Sequence, residues 1–166
     1  RQMTRMAVRI LITGGTFDKE YDEINGKLYF KETHVSEMLK LGRCTVPVVV
    51  RTLMMIDSLE MIDEDRHSIA LNCRKCEEQS VLITHGTDTM QQTAEYLAKE
   101  EIPKTIVLTG AMIPYAFGSS DGFFNLGSSI AYAQSLPHGV YVVMNGKAFN
   151  WNSVRKNKKS GFFEEI

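Results

Sequence analysis

Apolar residues gather in five short, almost unbroken runs: Val8 to Thr13, Thr45 to Arg51, Val81 to Thr84, Thr105 to Thr109 and Val140 to Met144. Short runs rich in Val, Ile and Leu are how strands covered on both faces of a parallel sheet read. Between them the apolar spacing changes to three and four, the helical period. Thr33 to Leu41 offers Val35, Met38 and Leu39, and a stripe through Ile62, Ile69, Cys73 and Cys76 marks a helix over Asp63 to Glu78. Thr89 to Glu100 offers Met90, Ala94 and Leu97, and Phe124 to Leu136 offers Leu126, Ile130 and Ala133. Strand and helix in alternation predict right-handed crossovers and an α/β three-layer sandwich around a mostly parallel sheet. Two stretches fit neither period. Phe17 to Phe30 is polar, holds Gly26 and reads as a mobile loop. Asn152 to Ile166 has a basic cluster and no clear element. At 166 residues without a repeat, the chain reads as one domain, residues 1–166.

Composition narrows the partners. A hydrophobic fraction of 43%, a charged fraction of 23% and a formal net charge of -1 describe a globular protein with no general pull toward nucleic acid or anionic membrane. No apolar run approaches the ~20 residues that cross a bilayer. Arg1 to Met6 carries no apolar stretch before Val8, which argues against a secretory signal and for a cytoplasmic protein. The three cysteines, Cys44, Cys73 and Cys76, are too few and too unevenly placed for a disulfide framework. Cys73-x-x-Cys76 lacks the second ligand pair that zinc needs, so the helical stripe makes these small core residues, and no metal is expected.

The chemistry follows the strands. Strand one runs into Thr13-Gly14-Gly15-Thr16, strand two leads to Asp57-Ser58, strand three to His85-Gly86-Thr87-Asp88-Thr89, and strand four to Gly110-Ala111-Met112. In an open parallel sheet ligands bind beyond the carboxyl ends of the strands, so four loops bring hydroxyls, a carboxylate and exposable backbone N–H groups to one edge. Gly14-Gly15-Thr16-Phe17 does not supply G-x-G-x-x-G, and the Gly-Lys-Ser/Thr of a P-loop is also missing. Each segment has a plain structural reading too. Thr89 with Gln92 matches a capping box, Asp88 suits a helix N-terminus, and Thr16 suits a turn. Lys156, among Arg155, Lys158 and Lys159, reads by residue type as part of a solvated basic patch.

Taken together, Thr13-Gly14-Gly15-Thr16, His85-Gly86-Thr87-Asp88-Thr89-Met90 and Gly110-Ala111-Met112, followed by Ser120-Asp121-Gly122 and Asn125-Leu126, closely resemble the bacterial-type L-asparaginases. The resemblance runs in order from strand one to about Lys156. It implies the Rossmann-like N-terminal asparaginase fold in a short, single-domain form without the family's smaller C-terminal domain. It also implies hydrolysis of L-asparagine to L-aspartate and ammonia. By position, Thr16 resembles the primary nucleophile, and Thr87, Asp88 and Lys156 the second triad. Ser58 matches the serine that holds the substrate α-carboxylate; Gly15, Gly86 and Ala111 match positions lining the pocket. The lid tyrosine falls on Tyr21, with Tyr29 as the second choice. Leu59 stands where many members carry glutamine, which leaves Asp57 or Glu60 to meet the substrate's α-amino end. No cofactor enters this scheme, and the lid side left open by a missing domain predicts a homo-oligomer.

Overall fold

The computed structural model of the protein describes residues 6–166; Arg1 to Arg5, the start of the segment read above as no signal, lie outside the described residues. Its centre is a six-stranded sheet in the order β4-β1-β5-β6-β7-β8, formed by β1 (Val8–Gly14), β4 (Val48–Ile56), β5 (Ser80–Thr84), β6 (Thr105–Thr109), β7 (Gly139–Met144) and β8 (Lys147–Asn150). The first five in that order run parallel and β8 is antiparallel to β7. The unbroken apolar runs have the expected cause: successive side chains alternate between two separate cores. Val8, Ile10, Ile12, Leu82 and Val107 face Val35 and Met38 of α1 (Val35–Leu41) and Leu126 and Ile130 of α4 (Gly122–Ser135). Leu11, Val81, Ile83, Ile106 and Leu108 face Ile69 and Cys73 of α2 (Asp63–Lys75) and Ala94 and Leu97 of α3 (Met90–Lys99). The result is the three-layer α/β sandwich that the alternation predicts.

Several expectations need correction. The second strand is Val48–Ile56 rather than Thr45 to Arg51. As the sheet's edge it keeps Arg51 and Thr52 exposed, so polar positions extend it beyond the apolar run. Phe17 to Phe30 is not a loop: β2 (Lys19–Asp22) and β3 (Lys27–Phe30) form an antiparallel hairpin. Its turn is held locally, since the Asp22 carboxylate accepts the backbone N–H groups of Ile24 and Asn25 and the Asn25 side-chain amide. The tail forms a second hairpin, β9 (Val154–Lys156) with β10 (Phe163–Glu165). The cysteine stripe is shorter than its pattern. Ile62 precedes α2 and is exposed, Cys76 follows its last turn, and Ile69 and Cys73 alone of the four are buried. All three cysteines are free thiols. Among the described residues no group of three or more His, Cys, Asp or Glu side chains is placed to hold a metal ion, and no helix is long and apolar enough to cross a membrane.

Threonines tie off the carboxyl ends of the central strands. Thr13 Oγ1 donates to the Thr84 carbonyl and Thr109 Oγ1 to the Val143 carbonyl, both at 2.7 Å. Buried hydroxyls paired in this way cost nothing in unsatisfied polarity and lock neighbouring strand ends together. The loops leaving those ends therefore start from fixed points.

Candidate active site

Three of those loops meet backbone to backbone. Gly14 and Gly15 take φ of +108° and +81°, a region that side chains disfavour. A Cβ on Gly15 would lie 2.5 Å from the Gly86 nitrogen, and one on Gly86 would lie 2.6 Å from Ser58 Oγ. The Gly15 N–H donates to the Ile56 carbonyl at 3.0 Å, closing the contact between the loops after β1 and β4. Thr16 thus starts its single 3-10 turn (Thr16–Asp18) alongside the segment that carries Thr87, half-buried and anchored by the fully buried Phe17 next to it. Asp18 closes that turn. Its carboxylate accepts the His34 N–H at 2.8 Å, yet burial dominates and raises its pKa above the usual carboxylate value.

The second group of residues converges from distant parts of the chain. Lys156, at the end of β9, donates from Nζ to Thr87 Oγ1 at 2.8 Å and to Asp88 Oδ1 at 3.0 Å. Thr87 is buried, while the Lys156 side chain is 17% exposed and that of Asp88 52%. One face of the lysine is therefore dry, and the carboxylate is wet. The basic-patch reading of Lys156 gives way to a specific hydrogen-bonded triad. A relay of side-chain amides and carboxylates sets this geometry. Asp121 accepts the N–H groups of Met112 and Ile113, and Asn125 donates to the Gly110 carbonyl and accepts from the Asn145 N–H. Asn145 in turn accepts the Phe163 N–H, which fixes β10 and so its partner strand β9, the carrier of Lys156.

Thr89 does something other than expected. It makes no side-chain cap of α3; its hydroxyl donates to the Ser58 carbonyl at 2.8 Å, and its N–H donates to Ser58 Oγ at 3.3 Å. The capping reading is overturned because a second loop competes for the same hydroxyl. Below it lies His85, fully buried, with Nδ1–H donating to the Gly86 carbonyl at 2.8 Å and Nε2 accepting from the Thr93 hydroxyl at 2.7 Å. Burial pulls its pKa down to about 4, so the ring is neutral. Thr93 also accepts from Arg66 Nε at 2.9 Å, leaving its own proton for the imidazole. The Gly86 carbonyl is thereby held inward, toward the core side of the loop.

Ala111 is buried beside this group, with Met112 Sδ 3.7 Å from Thr87 Oγ1. Tyr21 pairs with Leu28 and Tyr29 with Glu20 across the β2–β3 hairpin, so the two tyrosines project from opposite faces. Tyr21 shares its face with Lys19 and meets Phe117 edge-on, ring centroids 6.4 Å apart. Lys19 Nζ reaches Asp57 Oδ1 at 2.5 Å, so the hairpin is clipped to the residue before Ser58. Sequence reasoning overlooked Lys19, Asp121 and Asn125 as site-building groups. The last two stood in a recognised motif, but nothing marked their partners; Lys19 sat in a stretch taken for loop.

Along almost its whole length the chain is similar to known L-asparaginases. The L-asparaginase 1 of Escherichia coli K12 is 28% identical over 172 residues, covering 96% of this chain and 50% of that protein. A probable periplasmic L-asparaginase of Haemophilus influenzae is 30% identical over 90% of this chain and 46% of its own length. The solved thermostable L-asparaginase of Thermococcus kodakarensis superposes with a TM-score of 0.84 at 27% identity, over 97% of this chain and 51% of that one. A probable cytoplasmic L-asparaginase from Campylobacter jejuni superposes at 0.81 with 30% identity, over 95% and 52%. The chain therefore spans about half the length of the relatives that match it end to end. The model of the asparaginase N-terminal domain matches residues 7–163, from the first strand to the hairpin that presents Lys156, and the chain belongs to the asparaginase family.

Proposed function

We propose that the chain hydrolyses the side-chain amide of L-asparagine, giving L-aspartate and ammonia through a threonine acyl-enzyme. The observation that carries this reading is the Lys156–Thr87–Asp88 triad beside the Gly15–Gly86 backbone contact. An amide is a poor electrophile and a threonine hydroxyl a weak nucleophile, so dividing the reaction in two lowers both barriers. Thr16 Oγ1 attacks the side-chain carbonyl carbon, its proton passes to the amide nitrogen, and the C–N bond breaks to release ammonia. Water, activated at the Thr87–Lys156–Asp88 triad, then cleaves the aspartyl ester and returns the threonine. N–H groups near Gly15 and Ala111 hold the oxyanion, each donor contributing about 3 kcal/mol at the transition state. Ser58, fixed by Thr89, takes the α-carboxylate with Gly86 at its side, and Tyr21 closes the lid. Asp57 already holds Lys19 and Asp88 holds Lys156, so Glu60, exposed and without a cationic partner within 4 Å among the described residues, is the freer carboxylate for an α-ammonium.

Specificity between asparagine and glutamine turns on one methylene, typically about 1–3 kcal/mol, and a glutaminase-asparaginase of Acinetobacter glutaminasificans is 45% identical over 80 residues. We place the reaction in the cytoplasm, where free thiols such as these three persist, and in a homo-oligomer that covers the exposed Tyr21, Ile113, Phe117 and Phe162. The test is ammonia release from asparagine and from glutamine by wild type, Thr16→Ala and Thr87→Ala, with calorimetry on the same proteins. Release from asparagine that both substitutions abolish supports the proposal. Full activity in both removes the threonine mechanism, and binding without release makes the protein an amino-acid sensor.

A further inference from the structure

A cavity of about 230 Å³ lies toward the amino ends of β1 and β5, remote from the strand-end crevice, lined by Arg9, Leu11, Arg51, Asn72, Lys75 and Cys76. Arg9 is neutralised there, its Nε 2.8 Å from the buried carboxylate of Glu78. Arg51 and Lys75 are exposed and have no acidic partner within 4 Å among the described residues. The cavity is therefore cationic by two charges, with Asn72 and the half-buried Cys76 among its lining residues. Lys104, almost fully buried, organises the thiol. Two of its N–H groups go to the Cys73 and Cys76 carbonyls, at 2.7 and 2.5 Å, and the third is left for Cys76 Sγ at 3.3 Å. Since Lys104 already satisfies those carbonyls at the end of α2, Lys75 is not needed there and remains free to meet a ligand.

We propose that this cavity binds small disulfides bearing carboxylates, the class of oxidised glutathione, and that Cys76 exchanges with them to form a mixed disulfide. Cys76 gives its proton to water, and its sulfur attacks one sulfur of the bound disulfide. A new S–S bond forms as the old one breaks, and the departing thiolate takes up a proton. Cys76 is oxidised and the released half of the disulfide is reduced, with no further oxidant. The Lys104 N–H is in place to hold charge on the attacking sulfur, while Arg51 and Lys75 pair with the ligand's carboxylates. Cys73 does not displace the adduct. It is fully buried, and burial pushes its thiol up to about 12, so it stays protonated and unreactive.

Cys44 supplies an internal reference. It is the other half-buried thiol, and it lines an apolar cavity with Met38, Leu39, Phe123 and Leu126. The full chain is treated with oxidised glutathione or with neutral 2,2′-dithiodipyridine, and adducts at each cysteine are followed by peptide mass spectrometry. Oxidised glutathione should modify Cys76 about tenfold faster than Cys44, an advantage that weakens with salt and is lost in Arg51→Glu and Lys75→Glu. The neutral reagent should divide between the two thiols in the same ratio in wild type and both variants, which also reports an intact fold. Equal rates at Cys44 and Cys76, glutathione modification indifferent to the charge reversals, or a Cys73–Cys76 disulfide as the product would overturn the proposal.

Discussion

Replacing Lys156 by Met removes the ammonium and keeps the hydrophobic stem, and the structure says how its effects divide. Nζ makes two contacts, to Thr87 Oγ1 at 2.8 Å and Asp88 Oδ1 at 3.0 Å. With Asp88 half-exposed, water replaces the lost ion-pair partner, a change worth about 0–1 kcal/mol. The Thr87 hydrogen bond adds roughly 1 kcal/mol. For a chain of 166 residues, ~2 kcal/mol lowers Tm by only about 4–8 °C. The catalytic loss is larger. If Lys156 moves the proton at the triad, kcat falls by about 10²–10⁴, or ~3–5 kcal/mol of barrier. KM should change little, because the lysine is not proposed to touch the substrate's binding groups. The assay is ammonia release with saturation kinetics, run beside a thermal melt. A variant keeping kcat within a few-fold of wild type, or losing activity through KM alone, would refute the proton-transfer role.

Further outcomes follow from the packing and protonation of the site. The His85 pKa falls from an ordinary 6.5 to about 4 in the fold, so between pH 6.5 and 4 the unfolded chain takes up a proton that the native state refuses. Stability present above pH 6.5 is lost on acidification, by about 3 kcal/mol near pH 4. His85→Gln should lack this loss in urea unfolding at both pH values; Asp18, whose raised pKa acts in the opposite sense, is common to both proteins and cancels in the comparison. Gly86→Ala drives a Cβ to 2.6 Å from Ser58 Oγ; it should destabilise by about 1–3 kcal/mol in thermal melts, and adding Ser58→Gly should recover most of that loss. Tyr21→Phe should lower kcat, whereas Tyr29→Phe, on the opposite hairpin face, should not; the reverse result transfers the lid to Tyr29.

What could be read from the sequence follows from where each force originates. β6 is Thr105–Thr109 in both readings, and β1, β5 and β7 shift by a residue at one end, because burial on both faces writes itself as an unbroken apolar run. The β2–β3 hairpin left no such trace. Its strands are four residues each and largely unburied, too short to show a period, and it stands on an Asp22 turn and a Lys19–Asp57 ion pair. Thr89 was misread for a related reason: a capping box is a local pattern, and its hydroxyl is claimed by Ser58, 31 residues away. Lys156 was found by likeness to a family, not by residue type. Its contact with Thr87 spans 69 positions and depends on the Asn125–Asn145–Phe163 relay, which becomes visible only in the folded chain.

At the centre of the proposed mechanism, the hydroxyl of Thr16 carries the acyl group. Acid-quenching the reaction with asparagine within a few turnovers, then mapping the peptides by mass spectrometry, tests this most directly. An aspartyl ester on the peptide containing Thr16, accumulating further in Thr87→Ala, is the predicted result. An ester on Thr87, or ammonia release at full rate with no ester on either threonine, would contradict it.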